Sequence, residues 1–105
     1  MGRFSYHGDV RVEFPDRLLQ HLQHVMMTKM RRGEKFLFTW EGDPSLGPGR
    51  TTVWISGGSG LAFKYTDPRR SPLNRSWLEE LMKAADSAAG LSPIHEPTDE
   101  LRTQP

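Results

Sequence analysis

Phe36-Leu37-Phe38-Thr39-Trp40-Glu41, Thr52-Val53-Trp54-Ile55-Ser56 and Leu61-Ala62-Phe63-Lys64-Tyr65 are three short runs within residues 35–65 in which side chains alternate. One phase of the alternation, Phe36, Phe38, Trp40, Val53, Ile55, Leu61, Phe63 and Tyr65, is strongly apolar. Successive side chains of a strand point to opposite faces, so period two predicts three strands with one buried face. A long loop rich in glycine and proline, Gly42 to Arg50, joins the first two strands, and Gly57-Gly58-Ser59-Gly60 joins the last two. An antiparallel meander is the expected pairing.

Upstream, Phe4 and Tyr6 alternate with Arg3 and Ser5, then His7-Gly8-Asp9 supplies turn residues before Val10, Val12 and Phe14. This predicts an opening hairpin. Pro15-Asp16 marks a helix start with Asp16 as cap, and Leu18, Leu19, Leu22, Val25, Met26 and Met30 form its apolar stripe. Lys29, Arg31 and Arg32 fall in the last turn and Gly33 ends it. A second helix follows the basic segment Arg69-Arg70-Ser71-Pro72, with Asn74 as cap, a stripe from Trp77 to Ala89, and Gly90 as stop.

The order β-β-α-β-β-β-α predicts an α+β domain over residues 1–91: a five-stranded, mainly antiparallel sheet with two amphipathic helices on one face. Residues 92–105 carry prolines, Ser, Thr and Gln, and are expected to be a mobile tail.

The 105-residue chain is the size of one domain and has a mean hydropathy of −0.63. It contains no cysteine, which excludes disulfides, thiolate metal sites and cysteine nucleophiles. No apolar run approaches the roughly 18 residues of a membrane helix, and a strand pattern begins directly after Met1-Gly2. The expectation is a cytoplasmic protein without membrane association.

The net charge of +1 conceals an asymmetry. Nine cations against four carboxylates between residues 29 and 75 give +5, whereas Glu96, Asp99 and Glu100 against Arg102 give −2. A basic centre favours a polyanion, although an ordinary solvated surface explains the same charges. Arg69, Arg70 and Arg75 precede or open a helix, where free amides and cations attract phosphate. Lys29, Arg31, Arg32 and Arg50 complete the candidate anion-binding set.

Leu37 and Trp54 stand out of phase, on the face that also carries Arg3, Arg11, Glu13 and Lys64. An exposed indole beside Lys64 and Arg11 can stack a base or centre a homodimer interface. Coverage by a loop, or a facing shifted by one residue, accounts for it equally. His21 and His24 have a spacing that can share a metal, but lack a third ligand, so surface histidines are expected. Met27 falls off the apolar stripe, a weak sign of a partner. Gly42 and Gly47 have P-loop spacing, but Pro48 stands where the lysine belongs. No motif marks catalytic residues, a metal site or a cofactor.

The chain resembles a family of short uncharacterised bacterial domains of about this length. The resemblance rests on Met1-Gly2 before a strand, Asp16-Arg17-Leu18-Leu19-Gln20-His21-Leu22, Phe36-Leu37-Phe38-Thr39-Trp40-Glu41, Gly49-Arg50-Thr51-Thr52-Val53-Trp54-Ile55, and Leu73-Asn74-Arg75-Ser76-Trp77-Leu78-Glu79-Glu80-Leu81-Met82. Members are often labelled ATP-dependent DNA ligase. Such a ligase needs a lysine nucleophile in Lys-x-Asp-Gly, and Lys64-Tyr65-Thr66-Asp67-Pro68 has the wrong spacing and no glycine. What the resemblance implies is an association with DNA transactions.

The expected function is therefore a non-catalytic binding module: a DNA-associated accessory protein with a basic phosphate-contacting surface. The alternative is a protein-interaction or homodimerisation module built on the sheet face around Trp54.

Overall fold

The computed structural model describes residues 1–42 and 49–97. Five strands and two helices follow the expected order: β1 (Gly2–Tyr6), β2 (Val10–Phe14), α1 (Asp16–Arg31), β3 (Phe36–Glu41), β4 (Arg50–Ile55), β5 (Leu61–Lys64) and α2 (Arg75–Asp86). The fold is α+β, but the strands do not form one sheet. They form a three-stranded antiparallel sheet, β2-β1-β5, and a two-stranded antiparallel sheet, β3-β4.

The meander therefore breaks after β4. Instead of pairing with β4, β5 lies against β1, with Tyr6 opposite Leu61 and Arg3 opposite Lys64. A turn closed by Ser59 N–H to the Ser56 carbonyl, and a bond from His7 N–H to the Gly60 carbonyl, carry the chain across. In the split arrangement the apolar faces of the two sheets meet in one core. Phe4 lies 5.2 Å from Phe38 and 6.1 Å from Trp40 between ring centroids, all edge-on.

The expected apolar residues fill this core: Phe4, Val12, Phe14, Phe36, Phe38, Trp40, Val53 and Ile55 are buried, with Leu19, Leu22, Val25 and Met26 from α1. Trp77, Leu81 and Ala85 close it from α2. Gly2 is buried because β1 passes under α1; a Cβ there would sit 2.6 Å from Leu19 Cδ2.

Helix ends differ from expectation. Pro15 occupies the cap of α1, without a side-chain cap bond. The Asp16 carboxylate instead accepts from the backbone N–H groups of Thr66 and Asp67. Asn74 does cap α2, accepting from Trp77 N–H at 3.3 Å. That helix ends at Asp86, leaving Ala88 and Ala89 exposed. Gly90 is no helix stop. Its φ of 88° and a Cβ position 2.7 Å from Leu37 Cβ reflect a close crossing beside β3. Leu91 then bridges β3, donating its N–H to the Leu37 carbonyl and accepting from Thr39 N–H.

Beyond Leu91, Ile94 accepts from the Trp77 indole N–H at 2.8 Å, and Glu96 makes a bidentate pair with Arg17 at 2.8 Å. The first part of the expected tail is thus held against both helices. Its remainder, residues 98–105, and most of the Gly42–Arg50 loop lie outside the described residues.

Candidate functional site

A groove of about 810 Å³ runs between α1 and the connection from β5 to α2. One wall is a single face of α1: Gln20, Gln23, His24, Met27 and Arg31, spaced at three, four, seven and eleven residues from Gln20. Phe63 and Tyr65 contribute aromatic rings, and the residues from Asp67 to Leu73 form the opposite wall.

The second wall has no regular secondary structure, yet α1 holds it at several points. The Asp16 carboxylate binds the Asp67 amide at its start, at 2.9 Å. Gln20 donates to the Ser71 carbonyl at 2.8 Å and accepts from Ser71 N–H and hydroxyl. Arg17 donates to the Ser71 hydroxyl and the Pro72 carbonyl, both at 3.0 Å. Tyr65 donates its hydroxyl to Gln23 Oε1 at 2.5 Å. Burial, with the Asp16 carboxylate second, pushes the Tyr65 phenol up to about 12, so it remains a donor throughout the neutral range.

Of the seven candidate anion contacts, Arg31, Arg69 and Arg70 come together on this groove. Arg69 is engaged by Asp67 through a bidentate pair, whereas no ion pair among the described residues involves Arg31 or Arg70. Two cations without carboxylate partners among the described residues thus face one cleft from opposite walls.

The other candidates lie elsewhere. Lys29 is not at the surface: it is 5% exposed and its ammonium is held by Asp86 at 2.5 Å and Glu34 at 2.8 Å. It sits four residues after Val25, so its stem falls on the buried stripe, and the two acids supply its charge partners. Arg32 is exposed at the end of α1, Arg75 is exposed at the start of α2, and Arg50 opens β4 opposite Glu41.

Trp54 is 52% exposed and stands directly opposite Leu37 in the β3-β4 ladder. Splitting of the sheet changes its neighbours. Lys64 and Arg11 belong to the three-stranded sheet, where their phase is shared with Arg3, so they do not share a sheet face with Trp54. Beside Trp54, the next cross-strand pair of that phase is Thr39 and Thr52, whose hydroxyls are 2.8 Å apart.

His21 is buried rather than on the polar side. Its Nδ1 lies 2.8 Å from the Arg17 carbonyl and its Nε2 accepts Asn74 N–H at 2.9 Å, which assigns the neutral tautomer protonated on Nδ1. With both nitrogens engaged, it offers no lone pair to a metal. Among the described residues, no three His, Asp or Glu side chains come together as metal ligands.

Sequence reasoning singled out His24 only with His21, as a pair at metal-sharing spacing, and Met27 only as a residue off the apolar stripe, and it missed Tyr65, Gln20 and Gln23 as site residues. A legible signal existed: Gln20, Gln23, His24, Met27 and Arg31 repeat at helical spacing on a face other than the apolar stripe.

No curated protein and no solved structure is detectably similar to this chain. Residues 1–96 match the model of a domain of unknown function, DUF7882, and the chain belongs to that family.

Proposed function

We propose that the domain is a non-catalytic binding module that contacts the phosphates of a nucleic acid through the α1 groove, as a DNA-associated accessory protein. One observation carries this reading. Arg31 and Arg70 face a common cleft from opposite walls without carboxylate partners among the described residues, and Arg69 stands beside them. Guanidinium groups held so are suited to bidentate contact with phosphate oxygens. Arg32 and Arg75 extend the positive field beyond the groove, and Lys29 contributes nothing direct.

Titration of labelled DNA at low and high salt tests the proposal. Binding should weaken steeply with salt, and the double variant Arg31→Glu/Arg70→Glu should lower affinity about tenfold or more with a shallower salt slope. Absence of binding at low salt would reject it.

A second reading has its own support in the half-exposed Trp54 opposite Leu37: a protein-interaction or homodimerisation surface on the β3-β4 sheet. Sedimentation of wild type and Trp54→Ala separates the two. Dimers that become monomers favour this reading, and identical monomers count against self-association.

A further inference from the structure

We infer that the α1 groove takes a single strand of nucleic acid, with bases against Tyr65 and Phe63 and phosphates at Arg31 and Arg70. This rests on the nucleic-acid reading and names its substrate class. A purely electrostatic site needs only cations on a convex or flat surface. Here the cations stand on two walls, which also carry Met27 and Leu73, and two aromatic rings, Phe63 and Tyr65, line the same groove.

A duplex carries its phosphates on the outside of a convex cylinder and keeps its bases stacked within. It can approach the arginines, but its bases cannot reach rings within a groove. A splayed strand presents both kinds of group at once, which is how aromatic-lined basic grooves hold single strands. At about 810 Å³ the groove falls within the roughly 300–1,000 Å³ of small-ligand sites, but it is half open to solvent rather than enclosed. An open cleft suits a chain that continues past it better than a small anion needing enclosure.

Positioning supports the same conclusion. The Tyr65 hydroxyl is tied to Gln23, and the wall opposite α1 is tied to Asp16, Arg17 and Gln20, so the ring and the backbone that carries Arg70 are arranged before any ligand arrives. A site already ordered loses less freedom on binding. The tolerance of aromatic stacking for any base predicts little sequence preference.

The test uses the full chain and anisotropy with a labelled oligothymidylate, a duplex of equal length, and an abasic deoxyribose-phosphate strand of equal length. Oligothymidylate should bind about tenfold or more tightly than either competitor, the scale of one stacked base. Tyr65→Leu should reduce that binding about tenfold, whereas Tyr65→Phe, which loses the same bond to Gln23 but keeps the ring, should retain it within about twofold. If duplex or abasic strand binds as tightly as oligothymidylate, the single-strand inference is overturned while phosphate recognition stands. If no probe binds at low salt, both are overturned. The comparison of strands on wild type holds even if Tyr65→Leu fails to fold.

Discussion

The imidazole of His21 lies against the indole of Trp77, ring centroids 4.4 Å apart and planes tilted by 31°. This contact joins the two helices at the point where the chain enters α2, because the same imidazole accepts Asn74 N–H while Asn74 caps that helix. The groups around it are Arg17 and His24 on α1 and Glu96 from the C-terminal segment.

Burial lowers the basicity of His21 below its ordinary 6.5; the hydrogen bond to the Arg17 carbonyl and the Glu96 charge favour the charged form, while the Arg17 guanidinium opposes it. The unfolded chain therefore binds this proton more readily than the folded one. Stability should be full above about pH 6.5 and decline as pH falls toward the lowered folded value. Urea denaturation at about pH 7.5 and about pH 5.5 should show the loss, and His21→Phe should abolish that pH dependence while costing about 1–3 kcal/mol for the unpaired Asn74 amide. A wild-type midpoint unchanged across this window would refute the assignment.

Glu96 titrates in a separate window. Hydrogen bonds from Arg17 first, then Asn74, depress its carboxyl from 4.5 to about 2. Its contribution is present above 4.5 and disappears as pH falls toward about 2. The side chain is 34% exposed, so water screens the pair and the contribution is modest. Glu96→Gln should cost about 0.5–1 kcal/mol at neutral pH and reduce the acid sensitivity below about pH 4.5, read by denaturant melts.

Removing either side of the Lys29 cluster should have unequal effects. Lys29→Met leaves Asp86 and Glu34, whose side chains are 58% and 43% exposed and can be hydrated, so the loss should stay near or below about 1 kcal/mol. Asp86→Leu with Glu34→Leu leaves a buried ammonium unpaired and should cost about 3 kcal/mol or more. Comparable losses in the two variants would contradict this asymmetry.

Gly90→Ala tests the crossing beside β3. The new Cβ would meet Leu37 Cβ at 2.7 Å with φ at 88°, so steric overlap adds to backbone strain. A loss of about 2 kcal/mol or more is expected in thermal or chemical melts. A Tm equal to that of wild type would show that the segment can move aside.

Trp40→Phe should behave differently from other core truncations. Its indole Nε1 is buried without a hydrogen-bond partner among the described residues, so the substitution removes an unsatisfied donor along with apolar contact. The two effects oppose, and the net change should be within about 2 kcal/mol, against about 3–5 for Trp40→Ala.

The strands, both helices and nearly all of the core were legible because each depends on local periodicity. The pairing of β5 was not. Alternation at Leu61, Phe63 and Tyr65 marks a strand without saying which edge receives it, and that choice rests on contacts distant in sequence, such as Phe63 against Phe4. Lys29 and His21 were misread for a related reason: each lies on a part of α1 that only the arrival of α2 and its flanking residues encloses. The arginines at 31, 69 and 70 were recognisable as candidates. Their convergence was not, since it depends on Asp16, Arg17 and Gln20 binding a segment some fifty residues away in sequence.

Leu91 serves β3 as a one-residue neighbouring strand, and Ile94 and Glu96 fasten the rest of the C-terminal segment, as far as Pro97, to the helices. A shortened chain stopping at Gly90 would bare a hydrogen-bonding edge next to aromatic side chains, an open invitation to stack with its own kind. Expression boundaries for this domain should be drawn after Pro97, since trimming further trades solubility for a few residues saved.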